Sequence, residues 1–376
     1  EEVPAVVQRL VDDRDFVAFL GRYDSPRLSR LVPWLVEPIA RRRLKGVLGN
    51  VTSIASFQHL VADYVRRIID TTMTSFTFEG IDRLPRDRSF VFISNHRDIA
   101  GDSMLVDYAL HRSGRDTVRI AVGDNLIARE FATHLMKLNK GFFIKRAEVG
   151  TKKIYAALLN SSEFIHRSLA EDQSVWIAQA EGRAKDAMDV TDPAVLKMLT
   201  LAERKRPFGD VIGDLGIVPV SISYEYDPCD VLKARELHAL RTEGAWRKPA
   251  GADLVSLATG LGGFKGRVSL TFADVLPGGF DNADAVAAEI DQKILGALQL
   301  FPINFLALRT LAQKSDPAYA AALEGLRGVV DVPRDGEFER RLSLVPEELT
   351  GEWLRMYANP ILNKLQHGLE VQLPQS

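Results

Sequence analysis

The chain has 376 residues, 46% of them hydrophobic, and carries 48 Lys and Arg against 50 Asp and Glu, a formal net charge of -2. That balance excludes a globally basic nucleic-acid binder, so no nucleic-acid partner is expected. The single cysteine, Cys229, excludes both a disulfide framework and a cysteine-built zinc site, and favours a reducing, cytoplasmic setting.

The length exceeds the usual size of one compact domain, which suggests a main domain with helical additions. In chain order, residues 1–75 read as a helical N-terminal region. Phe16, Phe19 and Leu20, then Leu60, Val61, Tyr64, Val65 and Ile68, recur at helical spacing. The opening EEVPAVVQRLVDDRD is acidic and amphipathic, unlike a secretory signal. The longest charge-free stretch, Gly46 to Ala62, holds Asn50, Thr52, Ser53, Gln58 and His59, and is a poor bilayer span. A soluble or peripheral protein is therefore expected. Within this region, LVPWLVEPIARRRLK sets Trp34 and its apolar neighbours before Arg41, Arg42, Arg43 and Lys45. Aromatic and aliphatic residues beside a basic cluster suit an anionic membrane surface. A core-facing segment followed by a solvated basic turn accounts for the same pattern.

From Ser75 the period changes. SFTFEG alternates, and Phe90 to Ile93, Val118 to Val122, Ser174 to Ile177, Ile217 to Ser223 and Arg267 to Phe272 read as strands. Helical patterns separate most of them, at Met104 to Leu110, Ala128 to Leu138, Lys152 to Leu169 and Ala194 to Lys205. Strands alternating with helices predict an α/β domain over 76–278, with a largely parallel or mixed sheet flanked by helices. Its function is expected at the carboxyl ends of the strands. After Pro277-Gly-Gly279, residues 279–376 read as a C-terminal helical region, with AVAAEIDQKILGALQLF and a last segment around Trp353, Met356, Tyr357, Ile361 and Leu365.

The residues richest in chemistry follow the second of these strands, in SNHRDIAGDS (Ser94 to Ser103). A histidine titrates near neutral pH and serves as a general base when a carboxylate fixes its tautomer and stabilises its imidazolium. His96 with Asp102, or with Asp98, meets that requirement. Later, GFFIKR ends a strand in Lys145 and Arg146, and AEGR follows the strand SVWI with Glu181, Gly182 and Arg183. Guanidinium groups suit phosphate, and a glycine permits close backbone approach, so an anion site is expected there. Asp124 and Asn125, after VRIAV, also stand at a strand's carboxyl end. His96-Arg97-Asp98 spells the kinase catalytic-loop triplet, but Ser103 stands where an Asn is needed and no Gly-rich loop precedes it.

Taken in order, NHRDIAGD at 95–102, GFFIKR at 141–146, AEGR at 180–183 and IVPVS at 217–221 resemble the four blocks of the glycerolipid acyltransferase superfamily, the glycerol-3-phosphate and 1-acyl-glycerol-3-phosphate acyltransferases. The resemblance covers roughly 75–275. It implies an acyltransferase fold and phospholipid biosynthesis. It also implies that His96, partnered by an Asp, deprotonates an acceptor hydroxyl that attacks the thioester of acyl-CoA or acyl-carrier protein. Lys145, Arg146, Glu181, Gly182 and Arg183 would then shape the phosphate end of an acceptor such as glycerol-3-phosphate or a lysophospholipid like lysophosphatidate. No bound cofactor or metal is implied. Two departures stand out. Five residues, not four, separate His96 from Asp102, and Ala180 and Arg183 replace the usual Pro and Thr around Glu-Gly. Asp102 remains the expected partner, because DSMLVDYAL reproduces the helix that normally follows the catalytic Asp; Asp98 is its competitor. Acylation of another lipid acceptor, or an inactive acyl-lipid binding protein, are the alternatives, and the intact His96 and Asp102 argue against the second.

Overall fold

The apolar run after Phe90 becomes strand β2 (Val91–Ser94), every residue of which is buried. It lies between β5 (Val175–Ala178) and β6 (Ile217–Tyr224), pairing in parallel with both. A strand covered on both faces reads as a continuous apolar run. The computed structural model describes residues 2–24, 33–123, 129–145, 149–314, 316–326 and 335–372. Among them, β1 (Met73–Glu79), β3 (Arg119–Gly123), β4 (Gly141–Ile144) and β7 (Gly266–Phe272) complete a seven-stranded sheet ordered β1-β7-β6-β2-β5-β3-β4. The pairings are parallel except that of β6 with β7, which is antiparallel. The sheet is thus mixed and flanked by helices, as expected.

The period-two geometry of a strand sorts successive side chains to opposite faces. Phe90 and Phe92 join a core with Leu105, Val106 and Ala109 of the helix Gly101–Arg112 and Val65 of the helix Ile54–Thr72. Val91 and Ile93 join the other core. There they meet Ile165 of Thr151–Ala170, Leu196 and Leu199 of Pro193–Thr200, and Val211 and Ile212 of Phe208–Leu215. The helix Ala283–Ala297 adds Val286, Ile290 and Ile294 to this second core, so the first helix after 278 lies on the sheet.

Two further clusters carry the ends of the chain. The helices Val3–Asp12, Arg14–Asp24 and Pro33–Leu48 pack around Leu10, Phe16 and Leu44 against Phe131 and Leu138 of Glu130–Leu138. The helices Pro302–Gln313, Pro317–Gly325, Gly336–Leu344 and Thr350–Gln366 gather around the buried Trp353. Among the described residues, no single helix is long and apolar enough to cross a membrane.

Candidate active site

The carboxyl end of β2 is pinned before it turns. Asn95, fully buried, donates from Nδ2 to Ile222 O at 2.9 Å and accepts at Oδ1 from Ile222 N at 2.8 Å, binding the strand end to β6. Trp176 Nε1 donates to Ser94 Oγ at 3.0 Å, and its ring meets the His96 ring edge-on with centroids 5.9 Å apart. The backbone entering the turn is thereby fixed, and one wall of the imidazole is set.

The turn then closes around one carboxylate. Asp102 Oδ2 lies 2.7 Å from His96 Nδ1 and accepts from Arg97 N at 2.6 Å and Asp98 N at 3.0 Å, while Tyr224 Oη donates to Oδ1 at 2.9 Å. Burial alone would push the Asp102 carboxyl up. The hydrogen bond from His96, the imidazolium charge and the N–H groups of Asp98 and Arg97 outweigh burial and hold it below the usual carboxylate range. An ionised carboxylate only accepts, so it places the proton on His96 Nδ1 and leaves the Nε2 lone pair for chemistry. Tyr224 stays a donor, because burial, followed by the charges of Asp102 and Asp98, raises its hydroxyl well above the ordinary value.

Asp98 is placed differently. Its Oδ1 accepts from Ala100 N at 3.1 Å and Gly101 N at 2.7 Å, tying down the first turn of Gly101–Arg112. Its other oxygen faces the helix Ala252–Gly262 so closely that a Cβ on Gly260 would come within 2.0 Å of Oδ2. Burial and the neighbouring Asp102 charge raise its carboxyl. The carboxylate brought to His96 is therefore that of Asp102. Asp98 closes a turn within the five residues that separate His96 from Asp102.

The third block folds back onto the first. Ala184 N donates to His96 O at 3.0 Å, and Arg97 donates to Ala184 O at 3.2 Å and to Asp189 Oδ2 at 2.5 Å. Burial pushes the Asp189 carboxyl up to about 6 despite the Arg97 charge. His96, Gln179, Glu181, Gly182 and Arg183 consequently line one cleft. Gly182 adopts a φ of +78° with open space where a Cβ would stand, so its backbone is approachable from the cleft. Of the second block, the described residues 141–145 do not line this cleft. Lys145 is exposed after β4, an edge strand separated from β2 by β5 and β3. Arg146, Asp124 and Asn125 lie outside the described residues.

Residues 75–223 match the family described as Acyltransferase. The chain carries an acyltransferase-family domain. All four sequence blocks fall inside the matched span, so the family expected from them is the family found. Among solved structures, that of the 1-acyl-sn-glycerophosphate (LPA) acyltransferase PlsC from Thermotoga maritima is similar at 15% identity and a TM-score of 0.40, covering 75% of this chain and 93% of that one. No curated protein matches the chain.

Several residues that position the candidate site were not legible as functional from sequence. Arg97 sits inside the first block, yet its partner Asp189 lies 92 residues on. Tyr224 ends β6, whose apolar beginning alone drew attention, and its contact with Asp102 spans 122 residues. Asn95 opens the first block, and only pairing with β6 gives it a task. For the expected membrane contact, the side chain of Trp34 lies outside the described residues. In the same helix, Arg41 pairs with Asp12 at 3.3 Å, and Arg42, Arg43 and Lys45 are exposed.

Proposed function

We propose that this acyltransferase moves a fatty acyl group from an acyl thioester, acyl-CoA or acyl-carrier protein, to a hydroxyl of glycerol-3-phosphate or a lysophospholipid, a step of phospholipid biosynthesis. The observation that carries this reading is the 2.7 Å contact of His96 with the buried Asp102, in the cleft that also takes in Glu181, Gly182 and Arg183.

His96 Nε2 removes the proton of the acceptor hydroxyl as its oxygen attacks the thioester carbonyl. Asp102 stabilises the imidazolium that forms. The tetrahedral intermediate collapses with cleavage of the carbon–sulfur bond, and the imidazolium returns the proton to the departing thiolate. The acyl ester and the free thiol account for every atom, and the cycle calls for no resident metal or cofactor. Arg183, and Arg146 with it on the family resemblance, would hold the acceptor phosphate. A guanidinium pairs with phosphate oxygens bidentately. The lipid product and the basic face of Pro33–Leu48 support a peripheral place on the inner face of the membrane.

The test offers the purified protein palmitoyl-CoA with glycerol-3-phosphate, lysophosphatidate and other lysolipids in parallel, reading products by mass spectrometry and free thiol by absorbance. Thiol release coupled to one acylated product is expected. Binding of acyl lipid without thiol release would instead establish an inactive lipid-binding protein.

A further inference from the structure

The residue that follows β5, Gln179, is 2% exposed and lines the cleft beside His96. Its backbone is tied on both sides, donating to Ser94 O at 2.8 Å and accepting from Asp192 N at 2.9 Å. The side chain therefore starts from a fixed point next to the strand end that delivers His96. Its Oε1 is buried and has no hydrogen-bond partner among the described residues. Arg183 Nη1, in the same cleft, is likewise buried and unpartnered there. The remaining lining, Ala180, Ala184, Met188 and Val190, offers no side-chain N–H or O–H that could satisfy the amide.

Buried polar atoms are nearly always paired, and one left unpaired in a cleft calls for a ligand group of complementary chemistry. A carboxamide oxygen accepts, so it calls for an O–H or N–H. A guanidinium donates, so it calls for an anion. Beside a general base, the two describe an acceptor with an anionic group and a hydroxyl that donates without being the one acylated.

We infer that Gln179 Oε1 accepts a hydrogen bond from a second hydroxyl of the acceptor, adjacent to the reacting one, and so selects a phosphorylated glycerol with both hydroxyls free. This inference deepens the proposed acyl transfer and rests on it. Gln179 exchanges no proton. The reacting hydroxyl loses its proton to His96 and gains the acyl carbon, the carbon–sulfur bond breaks, and the proton leaves on the thiol. A site built to pair a substrate hydroxyl discriminates against an analogue lacking it, because binding the analogue leaves the buried group unpaired.

The test compares glycerol-3-phosphate with 3-hydroxypropyl phosphate, which lacks only the middle hydroxyl, each with palmitoyl-CoA. Wild type is expected to favour glycerol-3-phosphate in kcat/KM by about tenfold or more, about 1.4 kcal/mol. Gln179→Leu, near in volume and without the amide, should bring that ratio close to one, chiefly by lowering kcat/KM for glycerol-3-phosphate. Gln179→Met is the second variant should the first fail to fold. A ratio equal in wild type and a folded variant overturns the inference and leaves the acyl transfer standing. An equal fall for both acceptors with a raised KM for palmitoyl-CoA also overturns it, placing the amide on the pantetheine arm of the donor. No turnover of either acceptor by wild type overturns the inference together with glycerol-3-phosphate as substrate.

Discussion

A carboxylate removed from water is stable only where its lone pairs are taken up, and Asp102 has four groups around it: His96, two backbone N–H groups and Tyr224. If this arrangement serves the base, His96→Ala should lower kcat by at least about a hundredfold, the low end for a lost general base, with little change in the melting temperature. Asp102→Asn should be nearly as damaging, since an amide neither fixes the imidazole tautomer nor stabilises its cation. Asp98→Asn should be mild, because an amide oxygen still accepts from Ala100 N and Gly101 N. Steady-state rates of the three folded variants check the order, and a larger loss in Asp98→Asn than in Asp102→Asn would reverse the partner assignment. Tyr224→Phe is finer. It removes the one donor to Asp102 Oδ1 among the described residues and leaves the contact with His96 in place, so kcat should fall about tenfold, the worth of one hydrogen bond to a charged group, while KM changes little. Losing a donor that favours the anion raises the Asp102 carboxyl, so activity should fail at a higher pH than in wild type as the solution is acidified. A kcat and pH profile equal to wild type would reduce Tyr224 to a packing residue.

At the scale of elements, legibility followed how apolar residues are arranged. The buried strands β2, β5 and β6 announce themselves as continuous apolar runs, and the long helix Thr151–Ala170 by its one-sided stripe. Three helices gave no such sign. Phe208–Leu215 is only two turns long. Asp230–Glu243 buries Asp230 and Lys233 along with Ala234 and Ala239, so polarity does not mark its inner face. Ala252–Gly262 is apolar nearly all round, with no stripe to fix its orientation. Yet this last helix supports the turn that carries His96, through the bare Cα of Gly260 against the Asp98 carboxylate. Gly260→Ala sets two effects against each other. Alanine improves helix propensity by about 1 kcal/mol, whereas a Cβ placed 2.0 Å from Asp98 Oδ2 forces a repacking that costs about 1–3 kcal/mol. The close contact is with a capped, hydrogen-bonded side chain rather than a flexible tip, so the clash should win. A lowered denaturant midpoint with reduced kcat is expected. A midpoint at or above that of wild type would mean that Asp98 moves aside without consequence.

For the whole molecule, a formal charge of -2 gives no general attraction to an anionic membrane, so any attachment must come from a local face. The helix Pro33–Leu48 has one. Ala40, Leu44 and Leu48 turn inward at four-residue spacing, while Ile39, 61% exposed, and Val47, 48% exposed, reach the surface, as do Arg42 and Lys45. Apolar groups beside cations at a surface suit the interface between acyl chains and anionic head groups, where each basic residue contributes about 1 kcal/mol. Arg41 is the poorer choice for a test, because its pair with Asp12 confuses a lost membrane contact with a changed helix contact. The double change Arg42→Gln and Lys45→Gln should therefore weaken binding to anionic vesicles by about 2 kcal/mol, roughly thirtyfold, with no change in melting temperature. High salt should narrow the difference, since exposed charges are screened over about 10 Å at 0.1 M and about 3 Å at 1 M. Co-sedimentation with vesicles at both ionic strengths measures it. Equal binding by wild type and variant at low salt would make these residues a solvated basic face, and the surface on which the acyltransferase meets its lipid would have to lie elsewhere.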